Sequence, residues 1–309
     1  MAISRRYPGV YAAMATPVTQ DGEIDTGGVR NVVNYLFDQG VTGLSLLGST
    51  GESPLLSIPQ RQQVLETALE TTNGRGPVFT GAASTVVSDV IKSLKTTEGT
   101  GAEGALVPPP YYYPLGNDGV VGFYQRVAEA SPVPIILYNI PRMTKVQITP
   151  EAVEQLIEHP NIMGLKDSGG DFACFCAIAR IAKAKGNDGF TLYTGGDFML
   201  AASLYVGGDG VIGGMVNAVP DVLAELYRAF QEGDHERAVA LQGRVAAASA
   251  ATGVGTFPAG VKGQYALKGL CERYMVPPIP ALTDEQLEQL RQQLESAGVL
   301  QAAGVKGDD

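Results

Sequence analysis

Short apolar runs alternate with amphipathic stretches from residue 10 to residue 212, and the alternation predicts strands and helices in turn. Strands are expected at Val10–Ala15, Gly43–Leu47, Pro77–Thr80, Ala105–Val107, Pro134–Tyr138, Ile162–Lys166, Phe190–Thr194 and Gly210–Ile212. Helices are expected between them at Asp25–Gly40, Ile58–Thr71, Thr85–Thr97, Gly119–Ala130, Thr149–Glu158, Phe172–Lys185 and Phe198–Val206. In the first of these, apolar residues at 29, 32, 33, 36 and 37 form one face and a glycine closes the helix. Repeated βα units of this kind suggest a closed (β/α)8 TIM barrel, whose usual length is about 250 residues. An open doubly wound sheet is the competing arrangement. From Val219 onward the pattern is helical only, over Val219–Glu232, His235–Ala251, Pro258–Arg273 and Thr283–Gly298. The expected division is a barrel over 1–218 and a C-terminal α-helical region over 219–309 packed on it, with a frayed tail from 301 to 309.

One stretch stands apart. The run Ile162-Met163-Gly164-Leu165 leads into Lys166, and the polar turn Asp167-Ser168-Gly169-Gly170-Asp171 follows at once. A lysine ending a buried strand either snorkels to water or is buried for a use. Desolvation lowers an ammonium pKa, and a neutral amine is a nucleophile toward carbonyls. Successive side chains alternate faces, so Asp167 is expected to point away from Lys166. In a barrel the C-terminal ends of the strands collect the chemistry. The residues there are Thr16, the turn Gly48-Ser49-Thr50-Gly51-Glu52, Tyr111 to Tyr113, Tyr138-Asn139, Lys166, Gly195-Gly196-Asp197 and Gly213-Gly214. The Gly48–Glu52 turn offers hydroxyls and open backbone N–H groups suited to a carboxylate, or it is a plain βα turn. The Tyr138 hydroxyl either transfers protons or is a satisfied core group.

Composition narrows the function classes. A formal net charge of −10 argues against nucleic acid and anionic membranes as main partners. No run is long and apolar enough to span a bilayer, and no secretory leader pattern is present, so a cytoplasmic location is expected. The cysteines at 174, 176 and 271 and the histidines at 159 and 235 lack ligand spacing, so no metal site is expected. Gly208-Asp209-Gly210-Val211-Ile212-Gly213 matches the GxGxxG dinucleotide pattern, but a helix precedes it and a strand runs through it. The fingerprint must follow a strand and open a helix, which disfavours a nicotinamide oxidoreductase.

Three motifs, Gly48-Ser49-Thr50-Gly51-Glu52, Tyr138-Asn139-Ile140-Pro141 and Gly164-Leu165-Lys166-Asp167-Ser168, stand in the order and spacing of one family. The chain resembles the dihydrodipicolinate synthase/N-acetylneuraminate lyase family over nearly its whole length. The resemblance implies a (β/α)8 barrel, a homotetramer built from two tight dimers, and a pyruvate or other 2-oxo acid substrate. It implies no separate cofactor, because Lys166 itself forms a covalent imine with the keto carbon. It further implies that Tyr138 shuttles the proton at the C4 oxygen and that Thr50 relays protons to it. Tyr112 would reach across the dimer interface to complete the relay. The Ser49 and Thr50 amides would hold the carboxylate, and Gly195, Ile212 and Met143 would complete the substrate-binding set.

Departures from the family pattern bear on the substrate. Dihydrodipicolinate synthases carry Ser-Arg-Thr after the Tyr-Asn-Ile-Pro motif, whereas this chain has Arg142-Met143-Thr144. Met143 cannot offer the bidentate fork, and Arg142, if the segment is strand-like, faces elsewhere. Phe198 stands where sialic acid lyases have a glutamate. The expectation is a class I aldolase releasing pyruvate from a 2-keto-3-deoxy sugar acid or 4-hydroxy-2-oxoglutarate. The alternatives are a dihydrodipicolinate synthase, a 2-keto-3-deoxy sugar acid dehydratase, and a catalytically silent 2-oxo-acid binding protein.

Overall fold

In the computed structural model, which describes residues 7–186 and 189–300, eight parallel strands pair in chain order and the first also pairs with the last. They are β1 (Gly9–Ala13), β2 (Gly43–Ser45), β3 (Val78–Gly81), β4 (Gly104–Val107), β5 (Ile135–Asn139), β6 (Ile162–Asp167), β7 (Thr191–Thr194) and β8 (Gly210–Gly213). The sheet is therefore a closed barrel rather than an open doubly wound sheet. The tail expected to fray over 301–309 lies outside the described residues, as do Arg5 and Arg6.

The helices between the strands are α1 (Thr26–Asp38), α2 (Ile58–Thr72), α3 (Val87–Lys95), α4 (Asn117–Ala130), α5 (Pro141–Thr144), α6 (Pro150–Leu156), α7 (Phe172–Ala184) and α8 (Leu200–Tyr205). Their starts are written locally. The Asp25 side chain accepts from the Gly28 N–H, Ser57 and Gln60 form a capping box, and Thr149 caps a helix whose first residue is proline. After β8 come α9 (Pro220–Gln231), α10 (His235–Ala251), α11 (Ala259–Leu267) and α12 (Asp284–Ser296). Val222, Leu223 and Leu226 of α9 join the same apolar core as Val10, Ala12 and Leu44 of the first two strands, so α9 completes the outer ring. The helix expected over Pro258–Arg273 stops at Leu267, because Gly269 adopts a left-handed φ of 69° that ends it.

Strand alternation sorts the side chains into two layers. Tyr11, Phe79, Leu106, Ile136, Tyr138, Tyr193 and Ile212 fill the barrel interior as one cluster. Ile135, Leu137, Leu165 and Leu192 face outward onto the helices with Val120, Phe175 and Ile178.

Asn217, in the turn after β8, joins three parts of the chain. Its Nδ2 donates to Ala13 O (2.9 Å) and Gly214 O (2.7 Å), and its Oδ1 accepts from Ala15 N (3.2 Å) and from the Tyr265 hydroxyl of α11. The bonds to Ala13, Ala15 and Tyr265 are buried, so removing the amide strands several groups at once. Asn217→Ala is expected to lower unfolding free energy by about 3 kcal/mol or more, read from urea titration followed by circular dichroism.

Candidate active site

At the C-terminal mouth of the barrel lies a cavity of about 520 Å³. The β5–β6 register places Tyr138 directly beside Lys166, and both side chains point into this cavity. Lys166 is buried, and its Nζ sits 4.3 Å from the centroid of the Tyr138 ring. The Tyr138 hydroxyl is 3.5 Å from Ser49 Oγ, which arrives on the turn after β2. Thr50, on the same turn, lines the cavity opposite Gly214. Thr16, another strand-end residue, holds that turn from behind through its hydroxyl to Gly51 O (2.8 Å).

The neighbours of Lys166 in sequence face the other way. Asp167 Oδ1 accepts from Asn139 Nδ2 (2.7 Å) and Gly169 N (2.9 Å), and Asn139 Oδ1 accepts from Ile148 N (3.0 Å). This buried network ties the loops after β5 and β6 together behind the strands. Burial pushes the Asp167 carboxyl above its usual range, against the pull of those two donors. Gly195 lines the cavity at the end of β7, where a Cβ would collide with Ser168 Oγ and lie 3.1 Å from Lys166 Cε. A side chain there would displace Ser168 and crowd the lysine.

Asp197 is the carboxyl on the Lys166 side. It lines the cavity, is only 6% exposed, and its Oδ1 meets no hydrogen-bond donor among the described residues. Burial raises it to about 6, opposed by backbone N–H groups including that of Met215 and by the nearby Lys166 charge.

Two expected site residues, Met143 and Ile212, lie outside the cavity. Pro141 opens a single helical turn, α5, instead of an extended segment. A helix rotates about 100° per residue. Arg142 therefore turns into the cavity, with its guanidinium carbon 5.2 Å from the Phe257 ring centroid, while Met143 turns out and is 44% exposed. Met143, expected among the substrate-binding residues, does not line the cavity, and Arg142, expected to face elsewhere, does. Ile212 is fully buried in the barrel interior against its neighbours in the packed layer and does not line the cavity. Tyr112 lies outside the cavity of its own chain, 79% exposed, edge-on to Tyr113.

Sequence reasoning missed the far wall. Ser249, Thr252, Val254, Phe257 and Val261 close the cavity from the helical region. The only local signal was the glycine- and proline-rich break from Gly253 to Pro258, which reads as a plain interhelical loop. The cysteines at 174, 176 and 271 are free and half-buried, and no group of three or more His, Cys, Asp or Glu residues among those described could hold a metal. The GxGxxG run is occupied by β8, following α8, so no helix opens on it. No helix among the described residues is long and apolar enough to cross a membrane.

Comparison with known proteins agrees with the geometry. Residues 6–297 match the dihydrodipicolinate synthetase family. The 4-hydroxy-tetrahydrodipicolinate synthase of Methanoculleus marisnigri is 33% identical over 94% of this chain and 100% of the relative. That of Syntrophus aciditrophicus is 32% identical over 95% and 99%. Among solved structures, an Escherichia coli K12 prophage protein of the dihydrodipicolinic acid synthase family, in complex with pyruvate, superposes with a TM-score of 0.91. It is 27% identical, and the match covers 96% of this chain and 100% of that one. Acinetobacter baumannii dihydrodipicolinate synthase complexed with pyruvate gives a TM-score of 0.89 at 28% identity, over 96% and 100%.

The raised Asp197 carboxyl has a consequence for stability. Its ordinary value is 3.8 and its folded value about 6, so the folded protein holds this proton longer than the unfolded chain. That contribution is fully present below about pH 4 and is lost as pH rises through about 6. Asp197→Asn is expected to remove a fall of about 2 kcal/mol between pH 4 and 7, measured by urea unfolding at both values against the parent.

Proposed function

The chain belongs to the dihydrodipicolinate synthetase family and is a carbon–carbon lyase of the aldolase type. From that premise we propose that it works through an imine on Lys166, with pyruvate as product or donor. The observation that carries this reading is the β5–β6 register, which sets a buried lysine beside the Tyr138 phenol in one cavity. The Lys166 amine adds to the keto carbon of a 2-oxo acid and loses water to give a protonated imine. For a 4-hydroxy-2-oxo acid, Tyr138 takes the proton of the C4 hydroxyl and the C3–C4 bond breaks. The bonding pair flows into the imine to give an enamine, and the aldehyde departs. Protonation at C3 and hydrolysis of the imine then release pyruvate and free Lys166. In synthesis the same steps run backward, from pyruvate and an aldehyde.

The hydroxyl in contact with Tyr138 is that of Ser49, so Ser49 has a place in the proton relay beside the one proposed for Thr50. The turn that carries both residues suits the carboxylate of the 2-oxo acid, through its N–H groups and hydroxyls. Cleavage of a 2-keto-3-deoxy sugar acid or 4-hydroxy-2-oxoglutarate is the leading reading. The synthase reading is favoured by Arg142, whose guanidinium at the cavity suits a carboxylate on the aldehyde partner, and by the activity for which the relatives are named. Such a carboxylate also occurs on glyoxylate, the aldehyde product of 4-hydroxy-2-oxoglutarate. We propose a cytoplasmic homotetramer of two tight dimers, in which the exposed Tyr112 enters the relay of the neighbouring subunit. A monomer in sedimentation would remove that role.

Borohydride reduction in the presence of pyruvate is expected to fix a pyruvate-derived adduct on the Lys166 peptide, read by intact mass and peptide mapping. Absence of an adduct on folded protein would favour the silent binding protein. Lys166→Ala is expected to leave the fold intact, give no adduct and retain less than about 1% of turnover. Tyr138→Phe should still trap pyruvate while kcat falls about 100- to 1000-fold. Arg142→Ala is expected to raise KM for a carboxylate-bearing aldehyde about 10- to 100-fold, and Met143→Ala to change it less than about twofold, in steady-state assays.

A further inference from the structure

The turn that carries Ser49 and Thr50 ends at Glu52, whose backbone is left-handed at φ 57° and whose side chain is wholly buried. Its Oε1 pairs with Lys262 Nζ at 2.5 Å, and its Oε2 accepts from Val276 N at 2.8 Å. Lys262 Nζ donates in turn to Tyr274 O at 2.8 Å. Neither side chain lines the cavity, so neither can touch substrate. Lys262 does, however, follow Gly260 and Val261 directly on α11, and both of those residues line it. Gly260 packs so closely on the loop before it that an added Cβ would collide with Thr252 O and lie 2.8 Å from Val254 O. Thr252 and Val254 are cavity residues as well.

The ion pair thus joins two walls of one cavity, from sequence positions 210 residues apart. Burying two charges is costly, and a pair of leucines would pack here at less expense. What an apolar pair lacks is direction. One Glu52 oxygen faces the Lys262 ammonium and the other accepts the Val276 N–H, while Lys262 also donates to the Tyr274 carbonyl, so the turn is tied to α11 and to residues 274–276 at defined atoms.

We propose that Glu52 and Lys262 are positioning residues that fix the Ser49–Thr50 turn against the helical wall, and so hold open the seat for the carboxylate of the 2-oxo acid. The inference rests on the reading of that turn as the carboxylate site. The pair acts on binding: a loosened turn weakens the seat while leaving Lys166 and Tyr138 in register on β5 and β6, which the ion pair does not touch. Desolvation raises the Glu52 carboxyl and lowers the Lys262 ammonium, each opposed by the attraction of its partner.

The test uses the full-length chain and its Glu52→Gln, Lys262→Met and Lys262→Arg variants, with two readouts. The first is the pyruvate concentration giving half-maximal borohydride trapping on Lys166. It is expected to rise at least about tenfold in Glu52→Gln and Lys262→Met, with the same final extent of trapping, and less in Lys262→Arg, which keeps the charge. The second is amide hydrogen exchange, expected to quicken at 48–52 and 252–262 while the strands stay protected. A folded Glu52→Gln protein with parental half-saturation and parental exchange in the turn would overturn the proposal, as would a loss of protection spread evenly over the barrel. If Glu52→Gln does not fold, Lys262→Arg decides by the same two readouts. If the parent protein traps no pyruvate, the imine reading fails separately, and exchange in the turn alone then upholds or overturns the positioning role.

Discussion

The site depends on the pairing of β5 with β6 in a closed parallel barrel. Register sets Tyr138 opposite Lys166, and the two-residue period of a strand sends both inward while Asn139 and Asp167 go outward together. A slip of one residue would put the amide and the carboxylate into the cavity and bury the lysine against the helices. The outward pair guards against this. The Asn139–Asp167 hydrogen bond, with the Gly169 and Ile148 N–H groups, is satisfied only in the observed register.

Around that pair the barrel supplies rigidity and the loops supply chemistry. Below it, Ile136, Met163, Tyr193 and Ile212 fill the interior, so the lysine stands on a packed floor. Above it, three loop devices shape the cavity: the Ser49–Thr50 turn, the one-turn helix that aims Arg142, and the Ser249–Val261 segment from the helical region. The last makes the C-terminal helices part of the site. Asn217 and the Glu52–Lys262 pair fasten that region to the strand ends at two separate points, each through groups that water cannot reach.

The electrostatics of the cavity are divided in the same way. Asp167 and Glu52 each accept hydrogen bonds with one oxygen, Asp167 from Asn139 and Gly169 and Glu52 from Val276, and neither lines the cavity. Asp197 is the buried carboxyl left facing Lys166, and the cost of its burial shows in its raised affinity for a proton. Any change in the charge on Lys166 would therefore be felt at a carboxyl that shares its cavity.

Pairing of β1 with β8 settled the closure of the sheet, whereas the order of elements and the strand-end position of Lys166 and Tyr138 were legible along the chain. These follow from local periodicity, capping residues and side-chain alternation, all of which act over a few residues. It also carried the family motifs. The direction of Arg142 was not legible, because four residues are too few to show a period, and helix and strand aim adjacent side chains differently. Nor could any spacing reveal that Lys262 meets Glu52, that Tyr265 meets Asn217, or that the Gly253–Pro258 loop closes the cavity. Those contacts join residues dozens to hundreds of positions apart. They exist only after the barrel has closed and the helices have docked, since no short-range preference distinguishes a buried lysine with a partner from a lysine in water.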